Sequence, residues 1–297
     1  MEEYTDYYGF RGNLAFVDQV SIYNIGLENN STTKNKIFKE YFESLKQKKR
    51  MESEYQKRMY YLIFIQDYGK IYHCQLARKR QYDKFELTSK GIIEKKDQDY
   101  PYVNIFIEIE SQKFLIQSKT KIFENYNTCK DVLQNIMNSN LQIKDITITI
   151  EPIIKEEEFW KIVDNEEITS LQFMLCTPNM FDADDAADKL LKDIENNTNA
   201  KHVNMHFYNN ESGLQLNKKG INSFIKYISA GAGKWKVKIK KEGKKTITYS
   251  SEQKSQKVHI ALTNNKDNNY SLSDKDIAKI EEEFLKIETI EKFKGDW

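Results

Sequence analysis

The sequence predicts an α+β fold with two lobes of mixed, largely antiparallel sheet and flanking helices. Three observations predict this class: short strands joined by hairpin turns, amphipathic helices of about three turns, and an order of elements without regular βαβ alternation. The length of 297 residues is enough for two domains. We predict an N-terminal hairpin-rich lobe over 1–98 and a C-terminal α+β lobe over 99–297.

The N-terminal lobe begins with LAFVDQVSIYNIGL, 14–27, which alternates loosely and predicts one or two strands. In the segment that follows, apolar residues recur at helical spacing, and we predict a helix over 34–58. Two apolar runs come next, MYYLIFIQD and IYHCQLARK, separated by a turn at 68–70 that contains Gly69. This arrangement is typical of a β-hairpin.

The polar stretch KKDQDYP, 95–101, is a candidate linker between the lobes. A second hairpin is predicted from VNIFIEIE and KFLIQSKT, which meet at residues 111–112. The helix CKDVLQNIMNSN and the strand KDITITIEP follow it. In this strand Ile146, Ile148 and Ile150 alternate, so they face one side of the predicted sheet.

The remaining elements are predicted from the same local patterns. In chain order they are the helix KEEEFWKIVDN, the strand TSLQFMLCTPN, the helix DADDAADKLLKDIENN, the strand AKHVNMHFYN, a helix over 217–229, strands over 234–241, 244–250 and 256–262, and a helix over 273–293. Ser273 and Asp276 form the N-terminal cap of the last helix. Its apolar stripe consists of Ile277, Ile280, Phe284, Ile287 and Ile290. The stripe either packs on the protein's own sheet or forms a homodimer interface.

The net charge of +1 hides a strong segregation of charge along the chain. Residues 34–58 hold nine basic and four acidic side chains, 70–96 hold eight and three, and 218–257 hold twelve and two. Residues 151–199 hold thirteen acidic side chains and four lysines. The basic segments either present a surface to a polyanion or lie on scattered solvated faces.

Several classes of protein and site are not indicated. The apolar runs are too short to cross a bilayer, and MEEYTDYYGF lacks the pattern of a secretory signal. Three widely spaced cysteines suit a reducing cytoplasm, which is the expected location. His202 and His206 lie on one predicted strand face, but they are too far apart for one zinc ion. We expect no metal, cofactor or catalytic residue.

The segment KWKVKIKK predicts a strand that has lysines on one face, Lys234, Lys236, Lys238 and Lys240, and Trp235, Val237 and Ile239 on the other. Two interpretations remain open. Lysines on an edge strand protect a sheet from aggregation. Alternatively, residues on one strand face lie about 6.6–6.8 Å apart, close to the spacing of successive phosphates along one nucleic-acid strand. Before this strand, Gly231 and Gly233 fit a helix cap and a bend better than a phosphate-binding loop.

Acidic side chains provide a candidate for metal-dependent chemistry. Asp184 and Asp188 are separated by one predicted helical turn, and Glu110 precedes a lysine in EIESQK. Paired carboxylates of this kind bind Mg²⁺ in nucleases. The alternative is that the acids at the start of the helix cap its free N–H groups and suit its dipole.

The C-terminal half resembles a family of bacterial and prophage proteins of phage-defence systems, similar to the RexA-like exclusion proteins. Three segments carry the resemblance, SLQFMLCTPNMFDADDAADKLL, SGLQLNKKGINSFIKYISAGAGKWKV and TITYSSEQKSQKVHI. In pattern it extends over about residues 10–262. The resemblance implies two lobes, a homodimer, and binding of DNA without sequence preference and without catalysis.

We therefore expect a sequence-nonspecific DNA-binding protein of a phage-defence or exclusion system, acting as a homodimer and with a possible partner protein from that system. The expected phosphate contacts come from basic residues in two segments: Arg78, Lys79, Arg80, Lys218, Lys219, Lys234, Lys236, Lys238, Lys240, Lys241 and Lys244. The first alternative is a Mg²⁺-dependent nuclease. The second is a protein-interaction module whose acidic segment, 151–199, engages a basic partner.

Overall fold

The computed structural model describes residues 2–16, 30–141, 146–177, 186–240, 246–263 and 272–287. The strands are β1 (Glu2–Phe16), β2 (Arg50–Tyr55), β3 (Arg58–Asp67), β4 (Ile71–Arg78), β5 (Arg80–Thr88), β6 (Gly91–Asp99), β7 (Tyr102–Glu108), β8 (Lys113–Gln117), β9 (Ile146–Pro152), β10 (Ile168–Cys176), β11 (His202–Tyr208), β12 (Gly233–Ile239), β13 (Ile247–Ser250) and β14 (Lys257–Thr263). The helices are α1 (Asn30–Lys48), α2 (Tyr126–Leu141), α3 (Glu156–Val163), α4 (Ala186–Thr198), α5 (Lys218–Ser229) and α6 (Asp274–Lys286). All pairings between these strands are antiparallel, so the predicted α+β class is confirmed.

The larger sheet has eight strands in the order β14-β1-β8-β7-β4-β3-β2, and β9 pairs with the second half of β1. Helices α1 and α2 bury their apolar faces on one side of this sheet, and α6 covers the other side. Strand β8 is buried along its whole length because it is covered on both faces. The sheet with its helices therefore forms a three-layer unit with a core on each side.

The hairpin between β3 and β4 turns where the sequence predicts it. Gly69 adopts a φ of 83°, a left-handed conformation that glycine adopts without strain. The backbone N–H of Gly69 donates to Asp67 Oδ1 at 2.7 Å, and Tyr68 N–H donates to the carbonyl of Ile71 at 3.0 Å. The second predicted hairpin is also confirmed, with β7 and β8 as its strands.

The smaller sheet has four strands in the order β11-β10-β12-β13. Helices α3, α4 and α5 pack on one of its faces, where the core includes Phe159, Leu171, Phe173, Leu191 and Trp235. On the opposite face the side chains are mostly polar or charged. All three helices lie on one side of this sheet. The opposite face has exposed side chains on β11, β12 and β13, and we call it the open face.

A separate two-stranded ribbon, β5 paired with β6, extends from the end of β4 and is called the arm below. Ion pairs between Arg80 and Asp99 and between Lys95 and Glu86 stabilise one face of the arm. On the other face the apolar side chains of Phe85, Leu87 and Ile92 are 66%, 86% and 71% exposed.

Four predictions about elements and their boundaries need correction. The helix predicted over 34–58 ends at Lys48, because Lys49 adopts a φ of 65° and residues 50–55 pair with β3 as β2. The stretch 95–101, predicted as a linker, lies mostly in β6. The predicted boundary between residues 98 and 99 does not divide the sheets, since the larger sheet takes strands from both sides of it. Strand β1 also begins at Glu2, well before the predicted strand, and residues 17–27 lie outside the described residues.

The last helix, α6, has the predicted cap. Asp276 N–H donates to Ser273 Oγ and Ser273 N–H donates to Asp276 Oδ2, each at 3.2 Å. Its apolar stripe packs on the larger sheet through Ile280, Phe284 and Ile287, while Ile290 lies outside the described residues. The stripe is therefore used within the protein, and it is not the surface on which a homodimer would form.

None of the helices in the described part of the chain combines the length and the apolar character that a membrane crossing requires.

Candidate nucleic-acid interface

Strand β12 has the two faces that the sequence predicts. Trp235, Val237 and Ile239 are fully buried against the helices, and the intervening lysines lie on the open face of the sheet. The strand is not an edge strand, because β10 and β13 pair with its two sides. Protection of an edge therefore does not explain these lysines.

We call three lysines the lysine column: Lys236 and Lys238 on β12, and Lys240 directly after its last residue. Lys236 is half-buried, and Lys238 and Lys240 are exposed. None of the three forms an ion pair with a carboxylate among the described residues, whereas many other lysines do. Because cations that form no ion pair remain available to an external anion, the column is a candidate phosphate-binding surface.

Lys234 has a different environment from the lysine column. Its Nζ lies 2.8 Å from Glu252 Oε1, and its side chain is only 24% exposed. Burial alone would lower the pKa of Lys234, but the negative charges of Glu151 and Glu252 outweigh this effect and raise it. The ammonium group is therefore committed to an internal ion pair, and we remove Lys234 from the predicted phosphate contacts.

Lys234 lies where the two sheets meet. Glu151, on β9 of the larger sheet, is buried there, and burial raises the pKa of its carboxyl group. The side-chain amide of Asn13 donates to the carbonyl of Gly231 at 2.8 Å across the same junction. A Cβ atom at Gly231 would lie 2.7 Å from Arg11 Cβ, and the φ of 85° at this residue also favours glycine.

The predicted role of Gly231 as a helix cap is confirmed, since its N–H donates to the carbonyl of Ile228 at the end of α5.

The strand register aligns the side chains of the open face in rows. Tyr208, Ser170, Lys238 and Thr248 are directly opposite one another on β11, β10, β12 and β13. The next row contains His206, Gln172, Lys236 and Ser250. His206 Nε2 and Ser170 Oγ are 2.9 Å apart and share a hydrogen bond. The face therefore has a cationic column on β12 and a column of ring-bearing side chains on β11.

The other predicted phosphate contacts lie elsewhere. Lys218, at the start of α5, forms an ion pair with Asp164 at 3.0 Å and lies over the ring of Trp160. Lys219 is exposed in the same helical turn. Lys241 and Lys244 lie outside the described residues.

The predicted phosphate contacts in segment 70–96, which are Arg78, Lys79 and Arg80, also lie on other elements than the lysine column. Arg78 and Lys79 lie at the end of β4 in the larger sheet, and Arg80 begins the arm. Arg80 is paired with Asp99 at 2.5 Å. The arm as a whole carries five basic and five acidic side chains over 80–99, so its net charge is zero. The structure therefore does not combine these residues and β12 into one basic surface.

The acidic candidates for a nuclease site do not come together among the described residues. Asp188 is buried on α4 and pairs with Lys192 at 2.8 Å. Glu110 is exposed in the turn before β8, and the buried Lys113 pairs with Glu108. Asp184 lies outside the described residues. No group of three or more histidine, cysteine, aspartate or glutamate side chains suited to a metal ion occurs in the described parts of the chain.

Several carboxylates of the acidic segment 151–199 form ion pairs with lysines. Glu158 pairs with Lys254 at 3.0 Å, and Glu195 lies 4.0 Å from the buried Lys34. Other carboxylates of the segment pair with Lys192 and Lys218, as described above. These four carboxylates are thus paired with lysines from several elements.

The cysteines are buried, and two of the histidines lie on β11. Cys74, Cys129 and Cys176 are unbridged and buried, and burial raises the pKa of each thiol, so they are poor nucleophiles. His202 and His206 lie on one face of β11, as predicted, and this is the open face of the smaller sheet. Partial burial, and then the charge of Lys234, lower the pKa of His202. Tyr208 is not among the predicted site residues, although it continues the alternation of His202, Asn204 and His206 along the same strand.

Together these features define an α+β protein whose smaller sheet carries a cationic open face. The chain belongs to the DUF4747 family, since the sequence profile described as "Domain of unknown function (DUF4747)" matches residues 19–278. That description assigns no activity to the family. Comparison with curated proteins finds no match.

Proposed function

We propose that this protein binds DNA without sequence preference, through contacts between phosphate groups and Lys236, Lys238 and Lys240. The observation that carries the proposal is the lysine column. Lys236 and Lys238 lie on the open face of a central strand, and Lys240 follows directly after it. None of the three forms an ion pair among the described residues. Alternate residues on a strand are about 6.6–6.8 Å apart. This distance is close to the spacing of successive phosphates along one DNA strand. Such contacts position a protein on DNA but do not read its sequence.

The biological setting that we propose is phage defence or exclusion, in which the DNA-binding activity works with a partner protein of the same system. The resemblance to the RexA-like proteins supports this setting. We propose the cytoplasm as the location, and three buried thiols without disulfide bonds support a reducing compartment.

Fluorescence anisotropy tests the binding proposal with two unrelated DNA duplexes of equal length. Three phosphate contacts predict that the logarithm of the binding constant falls against the logarithm of the salt concentration with a slope of about −2.7. Affinity is then about 40-fold lower at about 200 mM than at about 50 mM salt. Both duplexes should bind equally. Absence of binding at low salt, or affinity that does not respond to salt, would contradict the proposal.

A second candidate function is protein interaction through the arm. The observation that favours it is the group of exposed apolar side chains Phe85, Leu87 and Ile92 on one face of the arm. Contiguous exposed apolar side chains are typical of protein interaction sites. The occupant that we propose is the arm of a second copy of the chain, because five basic and five acidic side chains allow two arms to approach without net repulsion. This moves the predicted homodimer interface from α6 to the arm.

Light scattering at several protein concentrations tests this interface. We expect the wild-type chain to be dimeric and a variant with Phe85→Ser, Leu87→Ser and Ile92→Ser to be monomeric. These side chains are exposed, so the variant should fold normally. Leu285→Ser is the matched control, since Leu285 is an exposed apolar residue on α6. A monomeric wild-type chain would exclude the dimer.

A further inference from the structure

The open face of the smaller sheet contains rings as well as cations. Tyr208 is 68% exposed on β11. The ring of His206 lies beside it, with 5.5 Å between the ring centroids. The hydrogen bond between His206 Nε2 and Ser170 Oγ holds the imidazole in this position. Two neighbouring rings therefore present an aromatic surface at the edge of the sheet.

The rings and the lysine column lie on opposite sides of β10. Tyr208 is aligned with Lys238 through Ser170, and His206 is aligned with Lys236 through Gln172. Adjacent strands are about 4.7–4.9 Å apart, so about 9–10 Å separates the two columns. In the row of Tyr208 and Lys238 the residue between them is Ser170, which is short and buried and forms the floor. The result is a shallow trough with aromatic rings on one side and ammonium groups on the other.

A surface that combines aromatic rings with lysines favours single-stranded over double-stranded nucleic acid. Proteins that bind single strands combine a cationic groove for the backbone with aromatic side chains on which unpaired bases stack. In a duplex the base faces are already stacked on one another, so exposing a base to the protein costs unstacking energy. Lysines alone would not favour one form in this way, because they contact only phosphates.

We propose that the trough binds single-stranded nucleic acid, with bases stacked on Tyr208 and His206 and with phosphates bound by Lys236 and Lys238. This inference rests on the proposed function, since it uses the same lysine column, and it names the form of nucleic acid. The phosphate and base chemistry is common to DNA and RNA. Both are therefore probes in the experiment.

The test is fluorescence anisotropy with a labelled single-stranded DNA of mixed sequence, the RNA of the same sequence, and the corresponding DNA duplex. We expect the wild-type protein to bind at least one single strand more tightly than the duplex. Tyr208→Leu should weaken single-strand binding by about 5- to 150-fold, the loss of one stacked base. Duplex affinity and both salt slopes should remain unchanged. Tyr208→Phe, which keeps the ring, should bind single strands within about twofold of the wild type.

The outcomes separate the two proposals. If wild-type protein binds the duplex as tightly as both single strands, or if Tyr208→Leu binds single strands like the wild type, the trough does not stack bases and the inference is wrong. Phosphate binding by the lysine column survives that result. If no probe binds at low salt, the proposed function and the inference both fail. Tyr208 is exposed, so thermal melting of each variant should match the wild type and confirm that folding is intact.

Discussion

Replacement of all three lysines of the column by glutamine is expected to nearly abolish the salt dependence of duplex binding. Each lost phosphate contact lowers the log–log slope by about 0.9, so the variant with Lys236→Gln, Lys238→Gln and Lys240→Gln should lose about 2.7. At about 0.1 M salt this corresponds to an affinity more than about 100-fold weaker. The change should be equal for unrelated sequences, because phosphates carry no sequence information.

A matched variant separates this effect from a general change in net charge. The control residues are three exposed lysines on α1, in the basic segment 34–58: Lys36, Lys39 and Lys48. Their replacement by glutamine removes the same charge but should leave most of the salt slope intact. If the α1 variant loses the slope and the β12 variant retains it, the phosphate-binding surface lies on α1. The free energy of unfolding should differ from the wild type by less than about 0.5 kcal/mol in both variants.

The second large effect concerns the opposite face of the same strand. Trp235→Ala is expected to lower the free energy of unfolding by about 3–5 kcal/mol, because Trp235 is fully buried among the helices of the smaller sheet. Its ring packs edge-on against Phe159, with 5.4 Å between the centroids. Urea denaturation followed by circular dichroism measures the change. Lys238→Ala, on the other face of β12, is the control and should cost less than about 0.5 kcal/mol. A loss below about 1 kcal/mol for Trp235→Ala would show that this core is not required for stability.

The alternation within β12 could be predicted from the sequence because it depends only on the period of a strand. The position of β12 in the middle of a sheet could not be predicted, since it depends on pairing with β10, about sixty residues earlier in the chain. For the same reason the sequence predicted the same environment for all four lysines, Lys234, Lys236, Lys238 and Lys240. Only the packing of the two sheets shows that Lys234 is committed to Glu252.

The two errors in element assignment have a similar origin. Residues 50–55, MESEY after Arg50, read as a continuation of the helix, and their strand conformation comes from pairing with β3. The polar stretch before residue 101 resembled a linker because its charges gave no apolar alternation. Those charges are paired across the arm, as in the ion pair between Arg80 and Asp99. Local sequence therefore predicted elements with their own apolar pattern better than elements defined by their partners.

The location of the phosphate contacts can be measured directly by lysine acetylation footprinting, with mass spectrometry of the protein alone and bound to DNA. The account predicts that Lys236, Lys238 and Lys240 react in the free protein and are protected when DNA is bound. Lys36 and Lys39 on α1 should react equally in both states. Protection confined to α1 or to the arm, with unchanged reactivity of the lysine column, would contradict the assignment of the open sheet face as the DNA-binding surface.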